Sequence, residues 1–243
     1  MSYLYNTIFY QPVFNALVFL YDIIPGNDLG VAIIILTIFI RLVLYPLSVK
    51  SIRAQKGLQD LQPKLEALKK QYSNNREQLA RETMQLYKEE KINPLSSCLP
   101  LLLQLPFLIA LFHAFRNVTK PESLQLLYSF IPSPEHINTM GLYGLLDLSQ
   151  PNYIIAILAG LAQFWQGKML VHRRPAKRSD ESKDEDFATL MNQQMLYVMP
   201  AVTTVIAWTF PAGLALYWFL STLLLALQQW VLFRKKKDGN LAS

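Results

Sequence analysis

Apolar positions in this chain fall in long runs separated by charged stretches. Residues 30–47 (GVAIIILTIFIRLVLYPL) are almost entirely aliphatic or aromatic, with Arg41 as their one charge. At 1.5 Å per residue such a run reaches roughly 27 Å, close to the thickness of a bilayer's hydrocarbon core. Comparable runs recur further along, and the pattern predicts five membrane-spanning helices over residues 29–49, 94–116, 152–170, 188–210 and 214–233. Asn93-Pro94 marks the start of the second by an N-cap followed by a first-turn proline, and Pro100, Pro106 and Gln104 lie inside it. Prolines free backbone carbonyls that lipid cannot satisfy, so part of that helix must face protein or water. The uncharged turn Phe210-Pro211-Ala212-Gly213 makes the last two spans an antiparallel pair.

The segments between the runs follow other periods. In residues 1–28 the apolar stretch 13–20 is too short to span, and Gln11, Asn15 and Asp22 share one helical stripe. This predicts an amphipathic helix lying in the membrane interface, with a degenerate sixth span as the alternative. Residues 50–93 read as a helical hairpin. One arm carries Leu61, Leu65, Leu68 and Tyr72, with a helical stretch starting at Pro63; the other carries Leu79, Thr83, Leu86 and Tyr87. Ser73-Asn74-Asn75 forms the turn. Residues 117–151 form a loop rich in proline and glycine, whose apolar patches at 124–131 and 142–148 predict short surface helices. Residues 171–187 are a charged loop expected to lack fixed structure, and residues 234–243 form a basic tail.

Charge turns this pattern into a topology. The composition is 52% hydrophobic and 16% charged, that of a polytopic membrane protein, and the net charge of +6 is not spread evenly. Residues 50–93 hold ten Lys/Arg, residues 168–186 hold six and residues 234–237 hold four. The loop at 117–151 with its flank holds two, Arg116 and Lys120, and residues 1–28 hold none. The positive-inside rule then places the N-terminus outside and the C-terminus in the cytoplasm. With no basic residue in the first thirty, a secretory signal is not expected; with no cysteine there, nor is lipid acylation. A single cysteine, Cys98, excludes an internal disulfide framework.

The candidate chemistry centres on Arg41. Its guanidinium stays charged, and no Asp or Glu lies within the predicted spans to pair with it. Two readings are open: the side chain snorkels to the cytoplasmic headgroups, or it lines a water-filled cavity in the inner half of the membrane. Gln104, Gln163, Gln193, Gln194, Thr203, Thr204, Ser221, Thr222, Gln228 and Gln229 add polar groups to the spans. Any one of these fits an ordinary interhelical hydrogen bond; together with Arg41 they favour the cavity. Met191, Met195 and Met199 suit either plain packing or an adaptable apolar surface. No nucleophile motif, phosphate loop or metal-ligand spacing is present, and His113, His136 and His172 are scattered. No enzymatic activity, metal or cofactor is expected.

Several stretches resemble the YidC/Oxa/Alb membrane protein insertases. These are IRLVLYPLSVKS around Arg41, QPKLEALKKQY, KEEKINPLSSCLPLLLQLPFLIALF and FPAGLALYWFLSTLLLALQQ. The resemblance covers about residues 29–235 and most closely the short bacterial form, without the large periplasmic domain of the long one. It implies an all-α polytopic fold, five transmembrane helices around a hydrophilic groove open to the cytoplasm, plus the cytoplasmic hairpin. The family's groove arginine maps onto Arg41, and further groove contacts map onto Gln104, Gln163, Thr204, Tyr217 and Trp218. It implies a bacterial plasma-membrane location, nascent membrane proteins as clients, membrane lipids, the ribosome and the Sec translocon as partners, and no sequence-specific nucleic acid. The competing function is a transporter or channel subunit using the same cavity; the missing intramembrane acids and internal repeat weigh against it.

Overall fold

A computed structural model describes residues 3–73, 75–93, 99–118, 120–134, 136–170 and 194–239. The Asn93-Pro94 start signal, Cys98, the charged loop at 171–187, the beginning of the predicted fourth span and the end of the basic tail lie wholly or partly outside them. The described chain is mostly helical.

The N-terminal segment winds through a turn of π-helix (Asn6–Tyr10) into α1 (Gln11–Ile23), with Pro12 in the first turn where its missing N–H costs nothing. One face of α1 is core: Phe14, Leu17 and Val18 are fully buried. The stripe read as polar and outward does something else. Asn15 is buried, and its Nδ2 donates to the Leu126 carbonyl at 3.1 Å while its Oδ1 accepts from the Tyr128 amide at 2.6 Å. Gln11 donates to the same Leu126 carbonyl at 3.2 Å. Two members of the stripe thus hydrogen-bond to the distant loop.

Gly26 and Asn27, both at positive φ, turn the chain into α2 (Leu29–Val43), whose N-cap is Asp28. The helix breaks at Leu44 and continues as α3 (Tyr45–Gln71), bent by 67°. Pro46 explains the break: its ring lacks the N–H and crowds the carbonyl one turn back. Beyond it, α3 runs unbroken through Pro63, so no new helix starts there. The hairpin arm is a single long rod, and Pro63 removes only one hydrogen bond on a partly exposed surface. α4 (Arg76–Glu89) returns along it, capped by the Asn75 side chain, which accepts from the Gln78 amide at 3.0 Å. A Lys64–Glu90 ion pair and Ile92 seated on Gly57 close the hairpin, but no residue of α4 is buried.

α5 (Leu99–Asn117) packs against α1 and α9, and α6 (Pro121–Leu124) is one turn long. The patch at 124–131 does not continue as a helix, because the Leu126 carbonyl and Tyr128 amide are taken by Gln11 and Asn15. The patch at 142–148 is not helical either. It is the turn and second strand of a hairpin, β1 (Met140–Gly141) paired antiparallel with β2 (Leu146–Asp147). Leu142, Tyr143 and Gly144 all have positive φ there, a run incompatible with a right-handed helix.

α7 (Tyr153–Leu170) is capped by Asn152, whose Oδ1 accepts from the Ile154 and Ile155 amides at 2.9 and 3.2 Å. Its inner face is built of Ala156, Ala159, Gly160 and Ala162, small residues that let α8 (Met199–Thr209) and α9 (Ala212–Gly239) approach closely. The core joins α1, α2, α5, α7, α8 and α9. Outward faces are apolar: Ile35, Ile38 and Phe39 on α2, Ile154, Ile157 and Leu161 on α7, Val205 and Trp208 on α8, Trp230 on α9. Of the described helices, Ala212–Arg234 is long and apolar enough to cross a membrane alone, and α2 with α3 passes as one bent span.

Candidate functional site

The buried stripe of α2 runs Ala32, Ile33, Leu36, Thr37 and Ile40, and Arg41 continues it one turn beyond Thr37. This stripe packs on α9. Arg41 therefore turns towards protein, and its guanidinium lies close enough to the Tyr217 hydroxyl for the two to interact electrostatically. Tyr217 is 1% exposed, and its Oη accepts a 2.6 Å hydrogen bond from Gln104 Nε2 on α5. Three helices thus each contribute a polar group to one spot. The Arg41 Nε is buried and has no hydrogen-bond partner, and no ion pair among the described residues includes Arg41.

The polar character continues along α9 towards the α3–α4 hairpin. Ser221 lies one turn beyond Tyr217 and faces its hydroxyl, but makes no hydrogen bond of good geometry. Further on, Gln228 Oε1 accepts from Ser48 Oγ at 3.0 Å, and the fully buried Gln229 donates to Gln55 Oε1 at 3.2 Å. Buried without partners remain Ser221 Oγ, Gln228 Nε2 and Gln229 Oε1. An orphaned buried polar atom costs about 1–3 kcal/mol, and folded proteins pair nearly all of them. Arg41 Nε, Ser221 Oγ, Gln228 Nε2 and Gln229 Oε1 thus lie buried without protein partners along α9 and the α2–α3 bend.

Of the six residues singled out from the sequence, Arg41, Gln104 and Tyr217 come together. Thr204 stands apart: its Oγ1 donates to the Pro200 carbonyl at 3.0 Å, and its side chain sits over Gly160 of α7. Trp218, half-buried, packs its ring against Phe210 at 6.5 Å, and Gln163 on α7 is half-buried. No hydrogen bond among the described residues joins these three to the Arg41 cluster. The seam residues Ser48 and Gln55 were missed, since on α3 they sit beyond the apolar run in a charged context. Ser221, Gln228 and Gln229 had a signal, a stripe at i, i+4, i+11 and i+12 from Tyr217. Among the described residues no three His, Cys, Asp or Glu side chains gather as a metal site would need.

A second polar knot ties the other end of α2. Asp28 is 4% exposed and accepts from the Val31 amide, capping α2, and from the Leu142 amide, both at 2.9 Å. It also accepts from the Tyr143 amide. Burial alone would raise its pKa; the amides of Tyr143, Val31, Leu142 and Gly30 outweigh that and hold it below the ordinary carboxylate value. Gly30 and Gly141 cross so closely that a Cβ on either would stand 2.8 Å from the other strand's backbone nitrogen. The same loop ties the start of α9, where the Ala212 and Gly213 amides donate to the Gln150 and Leu148 carbonyls at 2.9 and 3.0 Å.

Residues 19–239, nearly the whole chain and the entire seam, match the profile of the 60Kd inner membrane protein family. The chain belongs to that family. It is similar to proteins named membrane protein insertase YidC. With one from Oceanobacillus iheyensis it shares 35% identity over 93% of this chain and 82% of the relative. With one from Fusobacterium nucleatum it shares 35% over 97% and 99%. With one from Lawsonia intracellularis it shares 38% over 94% of this chain but 39% of that longer protein. The inner-membrane family fits the apolar outward faces of α2, α7, α8 and α9.

Proposed function

We propose that this family member is a bacterial plasma-membrane insertase and chaperone that inserts integral membrane proteins and helps them fold. The observation that carries the reading is Arg41, a fixed positive charge on an apolar helix. It is partly buried and interacts with Tyr217, which accepts from Gln104, with an orphaned Nε and further unpaired polar groups along α9 leading to the α2–α3 bend. A hydrated groove accounts for such a seam, because water and client groups supply the missing partners. In this reading the chain crosses the membrane five times, with the N-terminus outside and the C-terminus in the cytoplasm. The loop at 118–152 bonds to the starts of α2 and α9 and runs directly into α7, so these helices begin close together, as spans one, three and five require.

In this mechanism a short polar or acidic segment of a client enters the groove from the cytoplasm. The groove shortens the dry path that the segment must cross, and Arg41 attracts its negative charge in surroundings of lowered dielectric. The client's apolar segment moves sideways into lipid, favoured by about 25 cal/mol per Å². No covalent step is required. Nascent membrane proteins are the clients; the ribosome and the Sec translocon are the partners proposed at the cytoplasmic hairpin and in the membrane. Gln163, Thr204 and Trp218 complete the groove when a client widens it.

Site-specific photocrosslinking tests this. Probes at Gln163 or Trp218 face ribosomes stalled on a single-span client of increasing length. Adducts that appear over a window of lengths and are lost in Arg41→Ala support the groove. Adducts from the hairpin alone would make the chain a docking factor.

A further inference from the structure

The two most exposed large apolar side chains of the loop at 118–152 sit together on the tip of the β1–β2 hairpin. Tyr143 is 82% and Leu145 85% exposed, and residues 142–146 (LYGLL) carry no charge. A flexible loop would fold such side chains back; this one is held. The Asp28 carboxylate accepts from the Leu142 and Tyr143 amides, the Leu148 amide donates to the Thr139 carbonyl at 2.9 Å, and Gly141 is pressed against Gly30. Asp28 is also the N-cap of α2. The tip is therefore fixed at the level where the apolar helix begins, which is the boundary between hydrocarbon and headgroups. Tyrosine, with an apolar ring and a polar tip, suits that zone.

We propose that residues 142–146 are a membrane-interface anchor, with Tyr143 and Leu145 seated in the interfacial zone of the leaflet at the start of α2. Its occupant is lipid rather than a partner protein, because the tip is uncharged and is pinned by Asp28 and Gly30 to the first turn of the apolar helix α2. The anchor sets the height of α2 and with it the depth of Arg41, 12 residues on and roughly 18 Å along the helix. The inference rests on the proposed topology only for which leaflet is occupied.

The test is nitroxide accessibility in the full-length protein in lipid nanodiscs. Leu145→Cys and Tyr143→Cys are made in a Cys98→Ser background, with Ser149→Cys, exposed on the same loop, as the aqueous reference. The anchor requires collision with oxygen to exceed collision with a water-soluble nickel chelate several-fold at 143 and 145, and the reverse at 149. A profile at 143 and 145 equal to that at 149 places the tip in water and overturns the proposal. Shielding from both reagents places it against protein, a second copy or a partner, and overturns it equally. In sealed vesicles of known orientation, an impermeant thiol reagent at Ser149→Cys reports the side separately. Labelling from the cytoplasmic side would sink the topology while leaving the lipid signature to stand or fall alone.

Discussion

Single residues carry this molecule's polar design, and Arg41 and Asp28 show its two forms. Tyr217 links Arg41 to Gln104, so Tyr217→Phe leaves the Gln104 amide without its partner in a buried setting. Thermal unfolding in detergent should show a loss of about 1–2 kcal/mol. Asp28, by contrast, is fully satisfied. Asp28→Ala removes a helix cap and leaves the Leu142 and Tyr143 amides unpaired, a loss of about 2–4 kcal/mol. The pH dependence follows from the direction of its shift. The carboxyl is held below 3.8 in the fold, so its stabilisation is complete above that unfolded value and disappears as pH falls through the lower folded one. The stability gap between wild type and Asp28→Asn should be constant from pH 7 to about 4.5 and narrow progressively as pH falls below about 4. A gap unchanged at pH 3 would mean that the ionised carboxylate is not what holds the turn. Arg41 was legible in the sequence because a charge inside an apolar run has few explanations. Asp28 was not, since its partners are backbone amides 114 and 115 residues away and amides leave no mark in a sequence.

Helices were legible where one physical rule acted alone. The apolar runs follow from composition, whereas the span expected over 29–49 is broken at Leu44 by the proline ring that follows, a 67° bend. Prediction failed where two elements compete for the same groups. Apolar patches at 124–131 and 142–148 have helix-like composition, but α1 and Asp28 take the backbone groups that a helix would have used. Pro63 was read as a start because proline favours first turns, yet a long helix in water tolerates the loss of one hydrogen bond. Thr204, which the family resemblance maps to the groove, sits in this structure over the gap left by Gly160. A Cβ at Gly160 would stand 1.9 Å from Thr204 Oγ1 and 3.0 Å from the Pro200 carbonyl. Gly160→Ala should therefore cost about 1–3 kcal/mol by overpacking, and Thr204→Ala in the same chain should restore most of it. Equal melting of single and double variants would show that the α7–α8 crossing is looser than this geometry.

At the scale of the whole molecule, two kinds of surface meet at the α2–α3 bend. On one side α1, α2, α5, α7, α8 and α9 share a core and turn apolar faces outward; on the other, α3 and α4 form a basic hairpin in which α4 buries no side chain. So thin a seam gives the hairpin little stability of its own, and its motion relative to the membrane part should be detectable. Amide hydrogen exchange in nanodiscs should be fast across Arg76–Glu89 and slow across α7 and the first half of α9. Topology joins these surfaces to the membrane by two independent routes. The basic counts favour the proposed cytoplasmic side for the hairpin, and the loop at 118–152 holds the starts of α2 and α9 together beside that of α7. Thiols introduced by Ser73→Cys in the hairpin turn and Ser133→Cys in the loop, each in a Cys98→Ser background, separate the two routes. In intact cells an impermeant maleimide should label the loop variant at once and the hairpin variant only after lysis. Labelling of both before lysis would mean that α2 does not separate them, and Arg41 would then have no membrane to work across. Protection of both would put the loop inside, and the charge rule and the shared anchoring of three helix starts would have failed together.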